Sequence, residues 1–131
     1  MIDLDALDDF ESFGSGVSET QLQKLEDDLK IKLPDDYVAL MRRTDGFALG
    51  NGLTIYRSED LVERNETFEV FEYAPGYLAI GDDSGGLSIL ISLSNGKVYS
   101  VDQGSMDEDD MEILGNSLFE WLSAGGLLAE S

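Results

Sequence analysis

Between Tyr77 and Asp102 three short apolar runs are divided by two turn signals: Tyr77 to Gly81, Leu87 to Leu93 and Lys97 to Asp102 are separated by Asp82-Asp83-Ser84-Gly85-Gly86 and by Ser94-Asn95-Gly96. Runs of this length, closed by glycine-containing turns, are too short for helices and read as strands. The connections are too short for crossovers, so neighbouring strands must run antiparallel. Asn95-Gly96 suits the two positive φ angles of a type I′ hairpin turn. The DDSGG stretch has the length and chemistry of a hairpin loop. Whatever else the chain does, it has to cover the faces of this sheet.

The same loop poses a chemical question. GDDSGG resembles the GDSGG signature around the nucleophilic serine of trypsin-like proteases, with one extra aspartate. A serine hydroxyl attacks only when a base removes its proton, and in those enzymes the base is histidine. The chain has no histidine, which leaves only a lysine-based variant open. Ser84 is therefore read as a turn residue. Asp82 and Asp83 are likewise not expected to be a catalytic pair, because adjacent residues on a loop tip rarely converge on one bond and no matching acid lies nearby in the sequence.

Helical signals lie on either side. Leu4, Leu7 and Phe10 are three apart and predict a short amphipathic helix within residues 3–13. Ser18-Glu19-Thr20-Gln21 reads as a capping box, followed by Leu22, Leu25 and Leu29 on one face, with the end near Lys30. Pro34 suits the first position of the next helix. Asp35 and Asp36 lie at its positive end and Arg42 and Arg43 at its negative end, with Gly46 as a left-handed terminator. These two helices are expected to pack as a hairpin. Leu53 to Arg57 alternates as a strand. Ser58 is placed as the cap of a helix to about Glu66, extended through Phe68 to Ala74. Asn51-Gly52 is a turn. A helix is expected after the acidic run Asp107 to Glu112, where a second capping box, Ser117 to Glu120, opens a segment ended by Gly125-Gly126. The class is α+β, helices packed around a central, largely antiparallel sheet, in one domain over 1–131.

Composition narrows the function. The chain of 131 residues carries 28 acidic and 8 basic side chains, a net charge of −20. Such a surface repels nucleic acid and anionic lipid and attracts cations and basic proteins. An apolar fraction of 42% argues against disorder. Without cysteine or histidine there is no disulfide, no thiolate metal site and no histidine acid–base chemistry. No cofactor and no metal are expected. No apolar run approaches the roughly 18 residues of a membrane span, and the acidic beginning is unlike a signal peptide, so a cytoplasmic location is expected.

Three stretches together resemble the SUKH superfamily, the group of yeast cell-wall-assembly regulator domains and bacterial immunity proteins. They are LPDDYVALMRRTDGF (33–47), IGDDSGGLSILISLSNGKVYSVDQGSM (80–106) and SLFEWL (117–122). With the first capped helix the resemblance spans about residues 18–122. It implies an α+β fold, protein binding rather than catalysis and, for bacterial members, neutralisation of a toxin, often a nuclease. The N-terminal IDLDALDDFESF lies outside it.

Other constellations have plainer readings. DEDDME lacks the glycine and glutamate spacing of an EF-hand and reads as carboxylates at a helix start. Asn65-Glu66-Thr67 matches a glycosylation acceptor but carries no weight without a secretion signal. Trp121, Phe119 and Leu122 are read as core. Tyr56, Tyr73 and Tyr99 are the tyrosines expected to reach the surface. The resulting expectation is a non-catalytic cytoplasmic protein, a monomer or weak homo-oligomer, that blocks a basic protein toxin and binds neither nucleic acid nor membrane. Its partner-binding residues are placed at Asp82, Asp83, Asp107, Glu108, Asp109, Asp110, Tyr56 and Tyr99. The alternative is a regulatory scaffold that binds host proteins.

Overall fold

The computed structural model describes residues 3–126 and 128. Its centre is a seven-stranded sheet in sequence order, each strand antiparallel to the next: β1 (Glu11–Ser12), β2 (Phe47–Ala48), β3 (Thr54–Ile55), β4 (Tyr77–Asp82), β5 (Leu87–Ser92), β6 (Val98–Asp102) and β7 (Glu112–Gly115). The helices are α1 (Glu19–Leu29), α2 (Asp35–Arg43), α3 (Ser58–Thr67), α4 (Val70–Tyr73) and α5 (Leu118–Ser123). This is the α+β architecture that the meander signals predict.

Strands β4, β5 and β6 are the longest of the sheet, and apolar residues cover both of their faces. On the first face Leu78, Ile80, Ile89, Ile91 and Val98 meet Leu22, Leu25, Leu29, Tyr37, Leu40, Met41, Leu118 and Trp121 from the helices. On the second, Ala79, Leu90 and Val101 pack with Val70 of α4, with Ala74 just past its end and with Met106 from the connection after β6. Full burial of a side chain such as these contributes about 1.5–3 kcal/mol, which is why a strand buried on both faces reads as a continuous apolar run.

Local signals set many of the ends. Ser18 Oγ accepts from Gln21 N at 3.2 Å while Gln21 Oε1 accepts from Ser18 N at 3.2 Å, the complete capping box of α1. Lys30 ends that helix with φ +59. Ser117 Oγ accepts from Glu120 N at 3.1 Å at the start of α5, but the Glu120 carboxylate accepts from Asn116 instead, so this box is half made. Gly125 and Gly126 have φ of +106 and +62 and end α5 as expected. Asn51-Gly52 forms the β2–β3 turn, with Gly52 at φ +97.

Several expectations are corrected. The 3–13 segment holds only a 3-10 turn at Leu4–Ala6 before joining the sheet as β1. Asp9 at φ +48 breaks the helical course, and the Phe10 ring packs 5.2 Å from that of Phe47. Pro34 caps α2 from outside the helix rather than opening it, and α2 ends at Arg43, with Gly46 three residues beyond at φ +79. The start of α1 meets the end of α2 through Val17 N to Met41 O at 2.7 Å and the Glu19–Arg42 ion pair, and both helices bury side chains in one core, while α1 also lies against α3 and α2 against α5. Ser58 is the first residue of α3 rather than its cap; its N–H donates to Asp45 Oδ1 at 2.7 Å, a cap supplied from the loop after α2. Glu69 at φ +52 separates α3 from α4. In the β5–β6 turn Gly96 alone has a positive φ, and its N–H reaches Ser92 O at 3.0 Å, so the turn is wider than a type I′ hairpin. After the acidic run comes strand β7, not a helix.

Candidate functional site

The DDSGG loop is built around its own carboxylates. Asp82 Oδ1 accepts from Ser84 N at 2.9 Å, and Asp83 Oδ1 accepts from Gly85 N at 2.8 Å and Leu87 N at 3.1 Å. Asp82 Oδ2 also accepts from the Tyr56 hydroxyl at 3.0 Å. Ser84 has φ +65, while neither Gly85 nor Gly86 has a positive φ. Its hydroxyl donates to Gly52 O at 2.7 Å and lies 3.4 Å from Thr54 Oγ1. Neither a carbonyl nor a threonine hydroxyl can serve as the base a nucleophile needs. Ser84 ties the β4–β5 loop to the β2–β3 turn, which is the structural role read from the sequence.

Tyr56 is only 5% exposed, against the expectation that it reaches the surface. Burial first, then the Asp82 carboxylate, raise its pKa above the ordinary tyrosine value, and the Arg64 guanidinium 5.8 Å over its ring works in the opposite direction.

The second acidic group lies elsewhere. After β6 the chain turns back across the second face of the sheet, pinned by buried Met106 at φ +47. Asp107 accepts from Asp109 N at 3.0 Å, and Asp110 accepts from the Ser105 hydroxyl. Glu108 Oε1 accepts from the Tyr77 hydroxyl at 3.1 Å. All four carboxyl residues, Asp107 to Asp110, are exposed. Because Glu108 bonds the first residue of β4 and Asp82 is its last, the two acidic groups are separated by about the length of that strand, some 16 Å. Among the described residues no group of three or more acidic side chains is placed to hold a metal ion.

Around Glu108 the side chains form a distinct surface. Tyr77 and Tyr99 stack edge to face, centroids 5.6 Å apart at 90°. Tyr99 faces Ile113 across the β6–β7 ladder, and Ile113 is 54% exposed. Partial burial, the bond to Glu108 and the charge of that carboxylate raise the Tyr77 pKa, in that order. On α4, Tyr73 is 56% and Phe71 37% exposed. Tyr77, Tyr99 and Ile113 thus form an aromatic–aliphatic strip on one face of the sheet, beside Glu108 and the acidic connection that carries Asp109 and Asp110, while Glu112 alternates to the other face. The strip offers flat apolar area, hydroxyls and negative charge together.

Of the residues expected to bind a partner, Tyr99 and Asp107 to Asp110 lie at this surface. Asp82 and Asp83 lie at the other end of β4, and Tyr56 is interior. Tyr77 and Ile113 were missed. Strand parity could have found Tyr77, which shares a face with Ala79, as Tyr99 does with Val101; Ile113 was hidden by the reading of its segment as a helix start.

Comparison with protein families matches residues 16–124 to the SMI1 / KNR4 family (SUKH-1). No curated protein matches the chain. Proteins of this family are in general immunity or regulatory domains that bind protein partners and are not catalytic. No helix among the described residues is long and apolar enough to cross a membrane.

Proposed function

The chain belongs to the SMI1 / KNR4 family (SUKH-1), and from that premise we propose that it is an immunity protein that neutralises a basic protein toxin by occluding it. The observation that carries the reading is the Tyr77–Tyr99–Ile113 strip beside the acidic connection Glu108 to Asp110 on a chain of net charge −20. Aromatic residues at the centre of a patch give contact area at low entropic cost, and a charged rim governs approach. A nuclease fits this surface especially well, because its substrate cleft is already basic and an acidic protein competes there with phosphate. Asp82 and Asp83 add to the field but spend their oxygens on the loop, so they steer rather than grip.

The mechanism is steric and needs no chemistry. Carboxylates raise the encounter rate by about 10 to 1000-fold, and the strip then excludes water from the docked contact. The test begins with capture of the partner from native lysate and its identification by mass spectrometry. The purified partner is then assayed with and without this protein. Stoichiometric loss of a toxic activity is the expected result. Capture of a host protein with no toxic activity would replace this reading with a regulatory scaffold.

A further inference from the structure

Among the described residues strand β7 pairs with a strand on one side alone, with β6, and ends the sheet. At the other end β1 has just two residues. Natural sheets blunt exposed edges with short strands, charged side chains (lysine above all), proline, bulges, inward charges or cover, because free N–H and C=O groups recruit further strands; β7 is short and bulged at Leu114, so its regular edge is the Glu112–Ile113 step. The sequence Glu-Ile-Leu-Gly of β7 contains neither lysine nor proline. The register shift between Val98 and Tyr99 puts one extra residue, Leu114, in β7 itself, and Ile113 and Glu112 are the part of the strand that pairs in consecutive steps. Ile113 stands 54% exposed on the Tyr99 face, and Glu112 is exposed beside it.

We infer that β7 is the seat of an added strand: an extended segment of a basic protein pairs with its free edge, carrying an apolar side chain beside Ile113 and a lysine or arginine beside Glu112. This rests on the proposed function and specifies how the partner is held. Strand addition draws affinity from main-chain bonds and specificity from alternate side chains, and here the alternation is apolar against Ile113 and cationic against Glu112. Glu108, Asp109 and Asp110, in the connection that leads into β7, extend the demand for positive charge. A second copy of this chain is the wrong occupant, since it would bring Glu112 and the same acidic connection against their own likes, on two bodies of charge −20. A four-residue strand calls for a partner segment of about 13 Å.

The test uses the intact protein, 15N-labelled, with a blocked hexapeptide alternating lysine and valine as probe. The control is the same peptide fully N-methylated on its backbone, equal in charge but unable to donate ladder bonds. The expected result is amide exchange slowed at least tenfold across residues 112–115 by the probe at saturation, no slowing by the control, and loss of the effect in Ile113→Lys. Ile113 is exposed, so that variant keeps its core. Equal perturbation by both peptides, or perturbation spread over the acidic surface without slowing at 112–115, would overturn the inference. So would a dimer of the protein alone at physiological salt that Ile113→Lys disperses, which would give the edge to a second copy. Because the probe replaces the partner, slowed exchange at β7 supports the edge even where no toxin is captured. Failure to neutralise a toxin with an intact peptide response strikes the proposed function instead.

Discussion

The Asn65 carboxamide closes on both backbone groups of Ala79: its Oδ1 accepts from Ala79 N at 2.8 Å and its Nδ2 donates to Ala79 O at 3.0 Å. β3 pairs with β4 through Thr54 and Ile55, opposite Asp82 and Gly81, and the chain's last bond to β4 is from Tyr56 N to Ile80 O at 2.9 Å. At Ala79 no strand among the described residues lies beside that edge, and the Asn65 side chain takes the strand's place. Asn65 is fully occupied, since Nδ2 also donates to Leu61 O at 2.8 Å. The residue that looked like an idle glycosylation acceptor is buried and structural.

Asn65→Ala should therefore destabilise the fold by about 3 kcal/mol, because it leaves a buried N–H and C=O without partners. Urea denaturation reads this as a lower midpoint at unchanged slope. A loss under 1 kcal/mol would mean that water replaces the amide there.

At the β4–β5 loop the strained position is Ser84, not either glycine. A non-glycine residue in the left-handed region costs about 1–2 kcal/mol, and the bond to Gly52 O offsets part of it. Ser84→Ala should lose about 1 kcal/mol of stability and none of the partner-blocking activity. Gly86→Ala should be nearly neutral, because an added Cβ meets nothing within 4 Å and φ is not positive. Gly81→Ala should be severe, because its Cβ would lie 2.2 Å from Thr54 O and force β3 away from β4. Thermal melts of the three variants give the order directly, and a Gly86→Ala loss larger than that of Gly81→Ala would contradict it.

Tyr37 predicts an alkaline instability. It is fully buried, and its hydroxyl has no hydrogen-bond partner among the described residues. Burial, and secondarily the Asp45 carboxylate, raise its pKa above the ordinary value; Tyr56 is raised in the same direction by burial and Asp82. Unfolded tyrosine ionises near pH 10 (about 10). Above that pH the unfolded chain has released protons that the fold retains, so the unfolded state binds fewer and stability falls as pH rises. Below it these two groups leave stability unchanged. Denaturation midpoints should drop from about pH 10 upward, and Tyr37→Phe should make the drop shallower. Removing an unpaired buried hydroxyl should also leave stability at pH 7 equal or higher by about 1 kcal/mol. A large loss at neutral pH would reveal a partner for that hydroxyl.

What was legible in the sequence was local. The β4–β6 meander follows from apolar runs and glycine turns, and α1 follows from Ser18, Gln21 and three leucines. What was hidden depends on partners distant in sequence. Two-residue strands such as β2 have no periodicity of their own and exist because Phe47 faces Ile55. The cap of α3 comes from Asp45, and the edge of β4 is completed by Asn65. Strand β7 was masked because carboxylates before an apolar pair look like a helix start until Tyr99 and Ser100 claim Ile113 and Glu112. The site suffered likewise: acidic loops are visible in one dimension, whereas the Tyr77–Tyr99 stack joins residues from two strands that are not even neighbours in the sheet.

The final prediction concerns charge and rate. If the acidic surface steers a basic partner, association should slow steeply between low and physiological salt while dissociation changes little. Long-range attraction acts before contact and is screened over about 8 to 10 Å at physiological ionic strength; packed contacts formed after docking are screened less. Changing Asp82, Asp83, Asp107, Glu108, Asp109 and Asp110 to Asn or Gln should lower the association rate more than it raises the dissociation rate. Asn at positions 82 and 83 keeps an oxygen for the Ser84, Gly85 and Leu87 amides, so the loop should survive the change. The two acidic groups should separate when neutralised in turn. The pair at the β4–β5 loop should change the association rate alone, whereas the four beside Tyr77 and Tyr99 should change both rates, because Glu108 holds the Tyr77 hydroxyl within the docked strip. Stopped-flow binding at two salt concentrations, once the partner is in hand, measures each of these. An association rate independent of salt, or untouched by all six substitutions, would leave the charge of −20 as a means of staying in solution.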